Sequence, residues 1–450
     1  MHIRIKKGLD IPLKGMPESL EIVHKGMPNT LALDLGHFSY TKFNFILKVG
    51  DVVKIGQAIA EDKHLPGRFF VSPASGEIKA ILRGEKRKPL KVVIEVTGEE
   101  YFSHTPCDYK KASKEDILKS LADAGLFSHI RKRPSNTLAS FKLPEAVFIK
   151  ALESAPFVPD PGLQLQGNET FFKEGLNVLA KLTEKLHLVH HKNCEADAFV
   201  NAQNVQKHTA EGPHPVANPS LHIYHIYPLM NLNQCVWTLD VNDVIAVGKL
   251  FKEGKYHNTR VITLGGEEFS QENRKYLRVY AGHPVQDLLN ENLEGLRIIS
   301  GDPFLGEKVE KDGYIGFAHY VLTSIKESQE RQPLHFMRLG SGRFTATKTY
   351  LSGFFNRKKH PFKFTTHQHG EVRAFIDADV YQNVMPMRIP VMDLVKAVIA
   401  EDFEKAMELG LLEVSEEDFA LPTFICPSKI EMTNIIRDGL QNFATQYISD

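Results

Sequence analysis

The sequence predicts a multidomain α/β and α+β protein, and three observations carry that expectation. Between Val49 and Ile81, short apolar segments are separated by glycine and proline, the pattern of a small β-sandwich or flattened barrel. From about residue 106 to 255, apolar strands alternate with amphipathic helices, as in a parallel sheet covered by helices. At 450 residues, one hydrophobic core is not expected to suffice, and three or four domains are the natural division.

The elements follow in order. Residues 1–105 hold the β-sandwich, and a hydrophilic, turn-rich run from Tyr101 to Lys111 leads out of it. Ser113 and Asp116 form a capping box for a helix that carries Ile117, Leu118 and Leu121 on one face and ends at Gly125. Ala146–Ile149 reads as a buried strand, Thr170 to Leu182 as a helix, and Leu186 to His190 and Leu221 to Tyr227 as further strands. Asp240 and Asp243 cap a helix that runs through Phe251 and stops near Gly254. This alternation over 106–255 predicts a Rossmann-like parallel α/β domain. Residues 256–330 read as an α+β domain of short strands with glycine turns and at most one short helix. The part 331–450 is expected to be mainly helical after a loop-like start that includes GSGRF and KKHP. There Pro390 opens a helix that Gly410 closes, and Ser415/Asp418 and Ser428/Glu431 supply two more capping boxes.

Composition narrows the function. Fifty-five basic residues balance 55 acidic ones, so no global field draws the chain to nucleic acid or anionic lipid. No apolar run approaches the ~18–20 residues that cross a bilayer, and the basic start lacks the apolar stretch of a signal peptide. A cytoplasmic chain that meets a membrane only through a partner is the expectation. The four cysteines (Cys107, Cys194, Cys235, Cys426) form no CxxC pair, so neither a disulfide framework nor a cysteine-rich metal site is indicated. Cys426-Pro427 looks like the last step of a cluster-binding run, but Cys235 is the nearest upstream cysteine, and Cys426 reads as a small buried apolar residue. His187, His190, His191 and Cys194 are the densest group of possible metal ligands. On a strand His187 and His191 face one way and His190 the other, which does not assemble a zinc site. His222 and His225 likewise fall on opposite faces of the expected strand. Neither GxGxxG nor GxxxxGKS occurs, and no spacing singles out a nucleophile.

The order GD-x-V-x-x-GQ, Asp62-Lys63, SP-x-SG-x-I resembles the lipoyl/biotinyl carrier module, with Lys63 about where that family presents its modified lysine. The segment from Gln57 to Lys63 is shorter than in lipoyl domains, and Lys63 reads as a solvent-facing hairpin lysine. Over the whole chain, HIRIKKGLDIPLKG, GEKRKPL, LESAPFVPDP, GPHPVANPSLHIYHI, VWTLDVNDVIAVGKLF, RVITLGG and DFALPTFICPSK occur in order. Together they resemble the A-subunit family of the bacterial Na+-translocating NADH:quinone oxidoreductases, related in fold to the flavin-binding subunit of respiratory complex I. The resemblance implies a ubiquitin-like fold for 256–330 and a peripheral place on the cytoplasmic face of the bacterial inner membrane. It also implies partners that include the membrane flavoprotein, the B-subunit of the complex. FAD, FMN, riboflavin and a [2Fe–2S] centre would lie in partner subunits, and ubiquinone would be the substrate of the complex.

If the chain bound flavin as its complex I relative does, a glycine-rich loop would follow the first helix of the α/β domain, where backbone N–H groups can converge on phosphate. Here Gly125 is followed by Leu126-Phe127-Ser128-His129-Ile130-Arg131-Lys132-Arg133-Pro134, bulky and basic residues expected to crowd a ligand away. No catalytic, cofactor or metal residue is therefore assigned. Phe127, His129, Arg131 and Arg133 are the candidate contacts for an acidic partner, another anion or a quinone headgroup, with a solvated basic turn as the plain alternative. A flavin-dependent NADH dehydrogenase, a swinging-arm carrier on Lys63 and a quinone-binding subunit remain as other functional classes.

Overall fold

A computed structural model describes residues 1–38, 40–289, 292–328, 334, 337–354 and 362–448. The sandwich packs the four-stranded sheet Thr30–Asp34, Pro89–Gly98, Ser75–Arg83, Val52–Val53 against the three-stranded sheet Phe43–Phe45, Ala58–Asp62, Phe69–Val71. Its core is Leu31, Leu33, Ile59, Phe70, Ile78, Val92 and Ile94, all nearly inaccessible to water. Alternate residues of these strands point inward, as two facing sheets require.

A seven-stranded sheet forms the centre of the molecule, in the order His2–Arg4, Gln206–Glu211, Leu186–His191, Ala146–Ala151, Val236–Asp240, Arg131–Arg133, Thr137–Leu138. The first five strands are parallel, and Arg131–Arg133 runs antiparallel to Val236–Asp240. Both faces are covered, so its central strands are apolar throughout. Val147, Ile149, Leu188 and Trp237 face the layer built from helices Lys114–Asp123, Glu169–Leu182 and Val241–Glu253. Phe148, Val189 and Val236 face the C-terminal helices Val391–Ile399, Phe403–Glu408, Ala420–Ile425 and Met432–Tyr447. The helices Glu169–Leu182 and Val241–Glu253 approach each other through glycines: a methyl group on Gly248 would overlap the carbonyl of Phe171, and one on Gly175 that of Val244. A six-stranded mixed sheet completes the core: Glu307–Lys308, Leu296–Ser300, Val321–Lys326, Thr259–Gly265, Tyr276–Tyr280, Ile22–His24.

Both capping boxes of the α/β part form. Ser113 Oγ accepts from Asp116 N–H at 3.1 Å, and Asp243 Oδ2 accepts from Asp240 N–H at 2.9 Å. Ser415 and Asp418 also cap reciprocally, on a 3₁₀ turn that leads into Ala420–Ile425.

Several expectations are corrected. Leu221 to Ile226, expected with Tyr227 as a strand, lies in a helix, Pro219–Ile226, because Pro219 occupies the first helical turn after Asn218 and pre-sets its φ. On that helix His222 is buried and bonds Val216 O at 2.9 Å, while His225 is largely exposed. Pro390 precedes the helix Val391–Ile399, and the expected single helix to Gly410 is two, broken where Glu401 takes a φ of 55° and Asp402 starts Phe403–Glu408. Ser428 caps nothing: its hydroxyl donates to Ala374 O at 2.7 Å, and the last helix starts at Met432. The strands His2–Arg4 and Ile22–His24, expected within the sandwich unit 1–105, edge the seven- and six-stranded sheets instead. GSGRF lies in irregular backbone, and KKHP falls outside the described residues.

Candidate functional site: a polar cleft at the sheet switch point

The strands Ala146–Ala151, Leu186–His191 and Gln206–Glu211 extend the central sheet in one direction, and Val236–Asp240 extends it in the other. Where a parallel sheet reverses in this way, the chain leaves the two central strands toward opposite faces and opens a crevice beyond their carboxyl ends. A cavity of about 800 Å³ lies there, walled by the sandwich, both large sheets and the C-terminal helices.

Its floor is charged. Lys150 and Asp240 are register partners at the ends of the two central strands. Lys150 Nζ lies 3.5 Å from Asp240 Oδ1 and 2.6 Å from Glu153 Oε1. Burial opposes the charge on Lys150, but the two carboxylates outweigh it and hold the ammonium well above its ordinary value. Burial pushes the Glu153 carboxyl up to about 7, against the pull of Lys150. Glu417, from the C-terminal part, faces the same cavity and is likewise raised to about 7 by burial. Asp240 and Asp302 are raised by the same desolvation. Two carboxyls raised toward neutral pH, in the cavity that also holds the Lys150 ammonium, can store and release protons.

Other lining residues are cationic and aromatic. Arg131 donates from Nη2 to His37 Nε2 at 2.6 Å, which places any proton of His37 on Nδ1; burial, then Arg131, hold His37 well below its ordinary value and neutral. His129 is fixed at both nitrogens, by Asp243 Oδ1 at 3.0 Å and by the Tyr256 hydroxyl at 2.9 Å. The helix-capping carboxylate thus also orients a cavity side chain. Arg260 donates to the carbonyl of Phe317 and lies over the Tyr320 ring at 5.4 Å, and its buried Nε has no partner. Phe317 packs beside His37 and His129, with ring centroids 5.7 and 4.9 Å away. His37, His129 and Phe317 thus form an aromatic cluster, Phe317 stacked on His37 at 29° and tilted 55° to His129, beside the Arg131 and Arg260 guanidinium groups.

Of the candidate contacts, His129, Arg131 and Arg133 line the cavity and Phe127 does not. Arg131–Arg133 is a strand with Lys132 and Arg133 buried, so a solvated basic turn is excluded. Arg133 is structural, donating to Ser220 Oγ at 2.8 Å and to Val414 O at 2.7 Å. Phe127 and Ile130 are fully buried against the helical layer, Phe127 edge-on to Phe141 and Trp237. Their bulk therefore cannot crowd a ligand in the cleft, and that expectation is corrected. What the turn after Gly125 does show is three N–H groups already in use. The N–H of Gly125 bonds Ala122 O at 2.9 Å, that of Ser128 bonds Gly125 O at 3.2 Å and that of His129 bonds Leu126 O at 3.0 Å. A side chain on Gly125 would overlap Val71, so that glycine serves contact with the sandwich.

The other candidates resolve simply. His187 Nδ1 bonds His208 Nε2 at 3.0 Å, and no group of three or more metal-ligating side chains exists among the described residues. Cys426 is buried, with Sγ 3.1 Å from the Tyr381 hydroxyl. Lys63 is exposed just past the strand Ala58–Asp62. Lys150, Glu153, Arg260, His37 and Glu417 were not singled out from sequence. Only Lys150, a lysine ending the apolar run AVFIK, left a signal there.

No helix among the described residues is long and apolar enough to cross a membrane. Residues 3–97 match the NqrA N-terminal barrel-sandwich hybrid domain, and residues 112–256 match the NqrA second alpha/beta domain. The A-subunit of the Na(+)-translocating NADH-quinone reductase of Chlamydia pneumoniae is 36% identical, covering 99% of this chain and 98% of its own length. The protein of that name from Saccharophagus degradans is 35% identical over 97% of this chain and 98% of its own. A solved NAD+-reducing [NiFe]-hydrogenase superposes with a TM-score of 0.38 at 9% identity, over 77% of this chain and 64% of that one, a likeness too slight to argue from. At such identity to its relatives along its whole length, the chain belongs to the A-subunit family of the Na(+)-translocating NADH-quinone reductases.

Proposed function

We propose that the chain is a peripheral, cytoplasmic-face component of a Na+-translocating NADH:quinone oxidoreductase, without a redox centre of its own, and that its cleft holds the ubiquinone headgroup during reduction coupled to Na+ export. The observation that carries this reading is that Phe317, His129, Arg131, Lys150 and Glu153 all line a single cavity at the switch point. A quinone headgroup is flat and apolar on its faces and accepts hydrogen bonds at its edges, which suits an aromatic cluster beside N–H donors. Reduction to the quinol takes up two electrons and two protons. Glu153 and Glu417 are suited to supply protons, while FAD, FMN, riboflavin and [2Fe–2S] centres in partner subunits, the membrane flavoprotein among them, would supply electrons.

The reading without flavin is supported by the turn after Gly125, whose bonded N–H groups are not free to converge on a phosphate. Colourless purified protein that releases no isoalloxazine on denaturation is the expected result, and yellow protein would overturn it. The sandwich is read as lipoyl/biotinyl-carrier-like without a carrier role, the part to about residue 255 as Rossmann-like, and 256–330 as ubiquitin-like. An unmodified intact mass would accord with the idle Lys63. The quinone role is tested by titrating a short-chain ubiquinone into the isolated chain, with saturable binding expected.

A further inference from the structure

The described residues between 334 and 376 differ from the rest of the molecule. They form no α-helix and no named strand, only the 3₁₀ turn Leu351–Phe354, turns, bends and one isolated bridge from Thr365 to Lys326. Met337, Leu339, Phe354, Val372 and Ile376 are 69–77% exposed, among the most exposed large apolar side chains of the chain. Such residues scattered singly need no explanation, but concentrated in one body they mark an interaction site. Several contacts tie its parts to one another and to the C-terminal helices. Phe344 packs on Phe362, Phe364 and Phe424 with centroids 5.7, 5.8 and 5.8 Å away. Leu351 N–H bonds Leu339 O at 2.8 Å, which brings Leu339 beside the turn that ends at Phe354. Arg373 Nε donates to Pro427 O at 3.0 Å, and Ser428 Oγ donates to Ala374 O at 2.7 Å, so Val372 and Ile376 flank a stretch pinned to the C-terminal helices.

The charge of this body is one-sided. In a chain with no net charge, its described residues include Arg338, Arg343, Lys348, Lys363 and Arg373 against Glu371 and the adjoining Asp377, with Lys363 paired to Glu267 at 3.7 Å. Two occupants suit apolar side chains among cations: an acidic protein surface or an anionic bilayer. The backbone decides between them. Irregular backbone cannot satisfy its N–H and C=O groups inside hydrocarbon, whereas a protein partner can bond them. The mixture of methionine, aromatic residues and arginine is also what the centres of protein interfaces favour.

We propose that the surface bearing Met337, Leu339, Phe354, Val372 and Ile376 is the docking face for another subunit of the same complex, one that presents an apolar patch rimmed by carboxylates. The inference rests on the reading of the chain as part of that complex and names the surface that joins it. It is independent of what the cleft binds.

The test uses the whole complex, purified through a tag on a membrane subunit, with the chain as wild type, as Met337→Ser/Leu339→Ser/Phe354→Ser and as Lys348→Glu. The wild type is expected to co-purify. The triple variant is expected to lose roughly tenfold or more of its occupancy, as for truncated interface anchors, while the isolated variant keeps the wild-type melting temperature because these side chains pack on little. Lys348→Glu is expected to weaken retention, more at low salt than at high salt. A triple variant retained at wild-type stoichiometry overturns the docking face. So does an isolated wild-type chain that floats with protein-free vesicles containing phosphatidylglycerol when the triple variant does not, since the face would then belong to lipid. Failure of the wild type to co-purify removes the reading as part of the complex and the docking face together, an outcome distinct from failure of the variant comparison.

Discussion

Lys150 Nζ lies 2.6 Å from Glu153 Oε1, an ion pair formed where the central strand of the parallel sheet ends and the cleft begins. The side chains are 19% and 13% exposed, and that exposure is to the cavity they line. The pair therefore combines the high electrostatic stakes of an interior site with access for a small ligand.

Replacing Lys150 by methionine leaves Glu153 and Asp240 facing each other with no cation. The expected loss of stability is up to about 3 kcal/mol at pH 8, the lower end for breaking a buried pair. At pH 5.5 the loss is expected to be smaller, since Glu153, raised to about 7, takes up a proton and relieves the repulsion. Thermal unfolding at the two pH values checks this, and equal losses would contradict it.

Glu417 makes the corresponding prediction with no ion pair among the described residues. Its folded-state value, about 7, lies above its ordinary 4.5, so the folded chain binds this proton more tightly than the unfolded one. The resulting stabilisation is fully present below about pH 4.5 and is lost as pH rises through 7. Glu417→Gln keeps the neutral shape at every pH and is expected to be more stable than wild type at pH 8 by up to about 3 kcal/mol, with the difference vanishing below about pH 4.5. Denaturant titrations across that range provide the comparison.

Phe127 and Arg131 lie four residues apart and should behave oppositely. Phe127→Ala opens a cavity between Phe141 and Trp237 and is expected to cost about 3–5 kcal/mol, with quinone affinity unchanged where the variant folds. Arg131→Ala removes a cavity-facing donor and is expected to weaken quinone binding roughly tenfold. Calorimetric titration beside a melting curve separates the two, and a weakened ligand affinity in Phe127→Ala would assign that ring to the site.

Gly248→Ala tests the central helix pair. The added methyl group would overlap the carbonyl of Phe171, and since neither backbone can yield without moving its helix, a loss of about 3 kcal/mol is expected. Ala246→Gly, on the same helix, changes propensity without a clash and is expected to cost about 1 kcal/mol plus the loss of one buried methyl. A smaller effect at Gly248 than at Ala246 would mean the helices can move apart.

Much of the fold was legible because it is local. The capping boxes at Ser113/Asp116 and Asp240/Asp243 and the apolar run Ala146–Ile149 are contiguous signals, and each formed where expected. Leu221 to Tyr227 failed because LHIYHIY alternates like a strand, while the deciding residue, Pro219, precedes the segment. Ser428 failed because a hydroxyl can bond any nearby carbonyl, and Ala374, 54 residues away in sequence, reached it first. The cleft was illegible for a different reason. His37, Arg131, Arg260 and Glu417 belong to four separate stretches, and only the sheet order brings them to one cavity. Arg131 was among the residues singled out, yet it lines the cleft because it lies on a strand paired antiparallel on both sides, to Val236–Asp240 and Thr137–Leu138, which the run of arginine and lysine did not suggest.

The central claim is that the cleft between Phe317, Arg131 and Lys150 takes the quinone headgroup. Its most direct test is calorimetric titration of a short-chain ubiquinone into the isolated wild-type chain and into Arg131→Ala/Lys150→Met. Saturable one-to-one binding to the wild type, weakened at least tenfold in the double variant, is the predicted result. No saturable binding to the wild type, or the same affinity in both proteins, would contradict it.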